Sequence, residues 1–311
     1  MMLATKEIKE ILLDKHLLLR EIDVEMLEMG TDTKNYLITS TENKKYILKI
    51  YEAGLKTELK YELEVLAKLN IQEHIKGKVP SIVHDMFYIN DNPCVIYNFI
   101  PGRTLIPKDI NLVTIEKIAE LLANIHLTLA DHKPAVVKER FSIFDFSFTN
   151  IFKINHHPLS DFIFKSIDSL RKESVLYKNI NFRRAIIHED LSMDNILIDE
   201  INQIKFIDFS DSHEAEIVSD LSTLIKEVIM SPKGENVFLI KYFLLNYRKF
   251  LSLSSDQIKV IPYLIKRRTV FMLCYLIYKQ KINTILDLEK RINREYEILK
   301  ELNNNINFLY E

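Results

Sequence analysis

The apolar positions change their period along the chain. Up to about residue 20, Ile8, Ile11, Leu12, Leu18 and Leu19 recur at helical spacing and predict an opening helix. From Val24 to Tyr51 the pattern is that of strands. Asn35-Tyr36-Leu37-Ile38-Thr39 and Lys45-Tyr46-Ile47-Leu48-Lys49-Ile50-Tyr51 flank the polar stretch Ser40–Lys44, which reads as a hairpin. Residues 55–70 return to helical spacing, with Leu59, Leu63, Leu66 and Leu69 on one face. Gly77 and Pro80 stop that helix. Two further strands are predicted near 81–89 and 94–99, across Asn90-Asp91-Asn92-Pro93. Pro101-Gly102 marks a break, and residues 112–130 are again helical. The Phe-rich stretch 141–182 is less regular and reads as an insertion. A pair of short apolar strands occupies 186–209, and from about 217 onward the spacing is helical. The pattern predicts an α+β chain with a small β-rich N-terminal lobe over 1–99 and a larger, mainly helical C-terminal lobe over 100–311.

Composition narrows the class. The 311 residues are enough for two lobes with a sizeable core, and 47% apolar with 28% charged residues is an ordinary globular balance. The net charge of -2 gives no reason to expect nucleic acid or an anionic membrane as partner. Arg183-Arg184 and Lys266-Arg267-Arg268 are short basic clusters and read as solvated helix ends. Cys94 and Cys274 lie far apart among apolar neighbours, as buried reduced thiols do. The first residues lack the apolar stretch of a signal peptide, and apolar runs elsewhere are interrupted by Lys, Asn or Arg. A cytoplasmic protein without a membrane span is the expectation. Only 5 glycines occur, with no Walker A pattern and no G-x-G-x-x-G, so a nucleotide site here must be built differently.

The chemistry concentrates in one segment. Ile187-His188-Glu189-Asp190-Leu191-Ser192-Met193-Asp194-Asn195-Ile196-Leu197-Ile198 fits H-x-D-x-x-x-x-N, and Asp208 follows the short strand Ile204–Ile207. An attacking hydroxyl needs somewhere to put its proton, which a carboxylate at Asp190 provides. The amide oxygen of Asn195 and the carboxylate of Asp208 are hard donors suited to Mg²⁺ beside the phosphates of ATP. Singly, each residue could be an ordinary turn or cap residue. Together, at these spacings between apolar strands, they form a phosphoryl-transfer pattern. Lys49, on a strand after Ile47-Leu48, is placed to neutralise nucleotide phosphates. Of Glu58, Glu62 and Glu64 on the following helix, Glu62 is the best placed to hold it. Gly30–Tyr36 is the turn that could cover phosphates, through backbone N–H groups and the hydroxyls of Thr31 and Thr33. Tyr97-Asn98-Phe99-Ile100 would be the hinge, where the backbone of Asn98 and Ile100 could meet the adenine edge.

These pieces together resemble the aminoglycoside phosphotransferase/choline kinase family of small-molecule kinases, which have a bilobal protein-kinase-like fold. The matching segments run from about residue 30 to Asp220-Leu221 in the family's order. The resemblance implies ATP and Mg²⁺ as cofactors, Lys49 and Glu62 as the phosphate-side ion pair, Asp190 as base, and Asn195 and Asp208 as metal ligands. It also makes Asp220 the acidic residue that opens a helix and braces the catalytic loop. His126 matches a recurrent family position and reads as a packing histidine. Two residues depart from the pattern. Glu189 stands where the family usually has Gly, and Ser210 stands where Gly often follows Asp-Phe.

A protein kinase would usually carry Arg before the catalytic Asp and an A-P-E motif beyond D-F-G. Here Glu189 takes the first place, and Ser210–Glu216 leads straight to Asp220. A kinase acting on a hydroxyl group of a small molecule is therefore favoured over a protein Ser/Thr kinase. A catalytically silent nucleotide-binding module is the reading from another class, and the presence of Lys49, Asp190, Asn195 and Asp208 speaks against it. Asp211, Glu214, Glu216 and Glu311 could hold an amino group on the acceptor. That would suit an aminoglycoside, an amino alcohol or a hydroxy amino acid.

Overall fold

In the computed structural model the described residues are 5–14, 22–27, 33–138, 142–152, 154, 156–230, 237–282 and 286–304. Helix α1 (Thr5–Asp14) is followed by strands β1 (Ile22–Met26), β2 (Thr33–Ser40) and β3 (Lys45–Tyr51). Helix α2 (Lys56–Asn70) leads to β4 (Ile82–Ile89), β5 (Asn92–Asn98) and β6 (Arg103–Thr104). Helices α3 (Leu112–Leu129), α4 (Phe148–Phe152) and α5 (Ser160–Ser174) precede β7 (Arg184–Ile187), β8 (Ile196–Ile198), β9 (Ile204–Phe206) and β10 (His213–Glu216). Helix α6 (Ile217–Leu224) runs into a π-helical stretch, Ile225–Ile229. The rest is α7 (Val237–Phe250), α8 (Ser255–Lys259), α9 (Ile261–Ile282) and α10 (Leu286–Asn304). The fold is α+β and bilobal, of protein-kinase-like architecture. Its two compact units do not follow chain order. The first takes residues up to Leu105, Leu127–Lys138 and Asp194–Ser212; the second takes Ile106–His126, Glu139–Met193 and the chain from His213.

In the first unit a five-stranded sheet has the order β1-β2-β3-β5-β4, with each neighbouring pair antiparallel. The period of two divides its side chains. Tyr36, Ile38, Leu48, Ile50, Cys94 and Ile96 form one apolar face and pack with Ile8 and Leu12 of α1. Lys49, Tyr51, Val95 and Tyr97 are out of phase with these and so belong to the opposite face, where they are also buried. A strand lysine is carried into the interior by register alone. The helix expected to reach about residue 20 is described as far as Asp14; Leu18 and Leu19 lie outside the described residues.

The β4–β5 connection is tighter than the four-residue stretch expected. Asn90 and Asp91 both have positive φ, 47° and 64°, as a two-residue type I′ turn requires. Asn92 and Pro93 therefore belong to β5. Pro93 pairs with Tyr88 of β4, one residue beyond the last β3 partner, Cys94, so its missing N–H breaks no bond to β3. A separate small sheet, β6-β8-β9, completes the first unit. Gly102 stands at its edge with φ 148°, and a Cβ there would lie 3.2 Å from both the Ile198 carbonyl oxygen and the Leu197 Cβ. Gly102→Ala is expected to cost about 1–3 kcal/mol, read as a lower urea midpoint. An unchanged midpoint would show that the position tolerates a side chain.

In the second unit α9 packs against α4, α5, α6 and α10. The stretch 141–182 is not an insertion set apart from the core. Ile163, Ile167 and Leu170 of α5 are buried at helical spacing, and Phe148 and Phe152 of α4 meet Phe271 of α9 edge-on at 5.3 and 5.5 Å. Strand β10 was not expected from the sequence; it pairs antiparallel with β7, His213 opposite Ile187. Among the described residues no helix is long and apolar enough to cross a membrane.

Candidate active site

In the first unit Lys49, Glu62 and Asp208 come together. Glu62 lies on the stripe of α2 that also carries Leu59, Leu66 and Leu69, so the helix brings a carboxylate into the interior with its apolar face. The Lys49 ammonium is 3.6 Å from Glu62 Oε1 and 2.7 Å from Asp208 Oδ1, with both Lys49 and Glu62 buried. Burial alone would push the ammonium's pKa down, but the carboxylates of Asp208 and Glu62 more than offset this and hold it above its ordinary value. Tyr51, two residues on and on the same face, donates its hydroxyl to Glu62 Oε2. Glu64, an alternative partner for Lys49, instead accepts the Ala135 N–H at 2.6 Å.

Asn195 and Asp208 stand at the same end of the β8–β9 hairpin. Its register sets Ile196 opposite Phe206, and the Ile207 N–H donates to the Asn195 carbonyl at 3.0 Å. The turn after β9 is shaped by Asp208, which has φ 62°, and by Ser210, whose hydroxyl donates to Asp208 Oδ1 at 2.7 Å. Lys138 donates to the Ser210 carbonyl. The serine in the usual glycine place thus adds a hydrogen bond to the Asp208 carboxylate. Lys205 fixes the hairpin from below the turn, donating to the Pro101 carbonyl at 2.9 Å and pairing with Asp199 at 2.9 Å.

Asp190 lies in the second unit, on the loop after β7. Fully buried Asp220, in the first turn of α6, organises that loop. Its Oδ2 accepts the His188 N–H and its Oδ1 the Glu189 N–H, each at 2.7 Å. His126 Nε2 is 3.0 Å from Asp220 Oδ2, and its Nδ1 is 2.7 Å from the Tyr247 hydroxyl. A carboxylate can only accept, so His126 Nε2 carries the proton in that contact. His126 is a buried packing residue that also braces the loop. Burial by itself would raise the Asp220 carboxyl, but the hydrogen bond and charge of His126, with His188, hold it below the usual carboxylate range.

Glu189 has φ 71°, a left-handed conformation that costs a non-glycine residue about 1–3 kcal/mol. Its carboxylate meets Arg268 of α9, Oε1 to Nη1 at 2.9 Å, while Nη2 of the same guanidinium is 3.1 Å from Asp190 Oδ1. Lys266 is buried, and Arg267 donates to the Ser142 and Asp145 carbonyls at 2.8 Å. The cluster Lys266-Arg267-Arg268 is therefore not a solvated helix end. Sequence reasoning missed Arg268; its position on a long, largely apolar helix was the available signal.

The remaining expected residues are placed as follows. Thr33 opens β2 opposite Tyr51, while Thr31 lies outside the described residues. Asn98 ends β5 and is exposed, its side chain donating to the Ser81 hydroxyl at 2.9 Å; half-buried Ile100 follows in irregular chain. The acids expected to receive an amino group are partly spoken for. Arg184 lies 2.5 Å from Glu216 and 3.7 Å from Glu214, and Glu311 lies outside the described residues.

Comparison with known proteins bears on the fold and the family. No curated protein sequence matches the chain. Among solved structures, amicoumacin kinase hAmiN in complex with AMP-PNP, Ca²⁺ and Ami superposes with a TM-score of 0.71 at 19% identity, over 96% of each chain. Choline kinase LicA from Streptococcus pneumoniae gives 0.69 at 20% identity, over 96% of this chain and 99% of that one. The GDP and kanamycin complex of APH(2")-IIia gives 0.65 at 18%, over 94% and 99%. These likenesses establish the fold. The model of the phosphotransferase enzyme family (APH) matches residues 23–242, more than half of the sequence, and the chain belongs to that family.

Proposed function

We propose that the protein is an ATP- and Mg²⁺-dependent kinase that phosphorylates a hydroxyl group of a small molecule. The observation that carries this reading is the buried Lys49 ammonium held by Glu62 and Asp208, a cation with no evident purpose in the core except to meet anionic phosphates. Lys49 would draw on the α/β-phosphates. Thr33 would lie along the phosphates, with the backbone of Asn98 and Ile100 at the adenine edge. The N-terminal lobe over 1–99 would hold the nucleotide, and the lobe over 100–311 the acceptor. The AMP-PNP complex of amicoumacin kinase and the GDP complex of APH(2")-IIia support a purine nucleotide as the donor.

The residues present fit a divalent ion. Asn195 and Asp208 offer two hard oxygens from one hairpin end. Phosphate oxygens and water would complete the coordination of such an ion. Bound there, Mg²⁺ would neutralise charge on the phosphates. Asp190 would orient the acceptor hydroxyl and take its proton as the acceptor oxygen bonds to the γ-phosphorus and the bond to ADP breaks.

The deciding experiment follows ADP release from Mg²⁺-ATP over a panel of aminoglycosides, amino alcohols, hydroxy amino acids and sugars. Phosphorylation of one panel class, abolished by EDTA and restored by excess Mg²⁺, is the expected result. Undiminished turnover in EDTA would sink the metal assignment. Stoichiometric transfer of phosphate to a protein hydroxyl instead would overturn the small-molecule reading.

A further inference from the structure

Glu189 is a poor residue for its place by backbone criteria alone. It occupies left-handed space, and its N–H is already held by Asp220, so the path of the loop does not need its side chain. What the side chain does is reach α9. One arm of the Arg268 guanidinium bonds Glu189, and the other bonds Asp190. Two consecutive carboxylates are thus tied by a single planar fork. Arg268 is itself hemmed in, with a side chain 14% exposed and the half-buried carboxylate of Glu227 near enough to feel its charge. It stands on the helix that packs against α4, α5, α6 and α10, a rigid support for the contact.

We propose that Glu189 and Arg268 are a positioning pair for Asp190, an inference that rests on the base assignment above. Without the guanidinium, adjacent carboxylates would repel and Asp190 would lose one fixed oxygen. Without Glu189, Arg268 would have a single loop carboxylate to settle on and its many rotamers would reopen. Lysine cannot replace it, because one ammonium on a flexible stem lacks the planar fork that addresses two carboxylates at once. The usual glycine would relieve the backbone and give up the tie.

The test measures steady-state ADP release by wild type, Asp190→Ala, Arg268→Gln, Arg268→Lys, Arg268→Ala, Glu189→Gln and the Arg268→Gln/Glu189→Gln double variant. The acceptor is the best panel member, or water where none reacts. Arg268→Gln should lower kcat by up to about 10²-fold, the effect of a displaced catalytic group, with the KM for ATP unchanged. Arg268→Lys should recover little of this. The double variant should be no slower than Arg268→Gln alone, since both act through one contact. Millimolar guanidinium should partly rescue Arg268→Ala, which a merely structural loss would not allow. Full kcat in Arg268→Lys and Arg268→Gln, while Asp190→Ala is inactive, would overturn the pair and leave the kinase reading standing. Full activity in Asp190→Ala would bring down both.

Discussion

Asp190→Ala is expected to lower turnover by about 10²- to 10⁴-fold, the range for losing a general base. Its side chain is 43% exposed. Asp220 grips His188 and Glu189, and buried Leu191 follows. The variant should therefore fold normally and bind nucleotide with little change, so that the loss appears in kcat and not in the KM for ATP. Asp190→Asn separates two parts of the role, because an amide can still orient a hydroxyl but cannot take its proton. If Asn restores most of the turnover, orientation carries the effect. Wild-type rates in the alanine variant would end the assignment.

Asp220→Ala is the change expected to harm the fold most, by about 3–5 kcal/mol, the cost of breaking a buried charged contact by removing one partner. Three donors would lose their acceptor at once: the N–H groups of His188 and Glu189 and the Nε2 of His126. The sign of the pH dependence follows from the depressed carboxyl. In the native state it binds its proton less readily than in the unfolded chain. Its stabilisation is fully present above the ordinary carboxylate pKa and is lost as pH falls through the lower native value. Urea midpoints of the wild type should fall across that acidic window, and those of the variant should fall less steeply. Parallel curves would show that Asp220 does not contribute through its charge.

Much of the site could be read from residue spacing. The phase of β3 gives Lys49 to one face, and the stripe of α2 places Glu62 opposite the solvent. The short strands β8 and β9 fix Asn195 and Asp208 at one end of their hairpin. What escaped the sequence were contacts between distant segments. Arg268 is 79 residues from Glu189, and three successive basic residues have no helical period to mark one as buried. Strand β10 escaped because His213-Glu214-Ala215-Glu216 alternates without large apolar side chains; its pairing with β7 makes it a strand. The stretch 141–182 looked irregular because its aromatic residues are divided between irregular chain, at Phe144, Phe146 and Phe182, and the helices α4 and α5, which both pack on α9.

The interleaving of segments has a consequence for how the chain is made. The first unit draws on residues 194–212, which lie far beyond its sheet in the sequence. Phe206 donates its N–H to the Lys78 carbonyl at 2.8 Å, β6 finds its partner only in β8, and Lys49 meets Asp208 across 159 residues. A ribosome adding about 5–20 residues per second would need roughly 5–20 s between finishing Leu105 and delivering Ser212. Through that interval the nascent sheet holds a buried lysine with Glu62 as its only carboxylate from this trio, and Gly102 has no strand to lie against. The last pieces of the first unit therefore arrive only after the chain has begun the second unit.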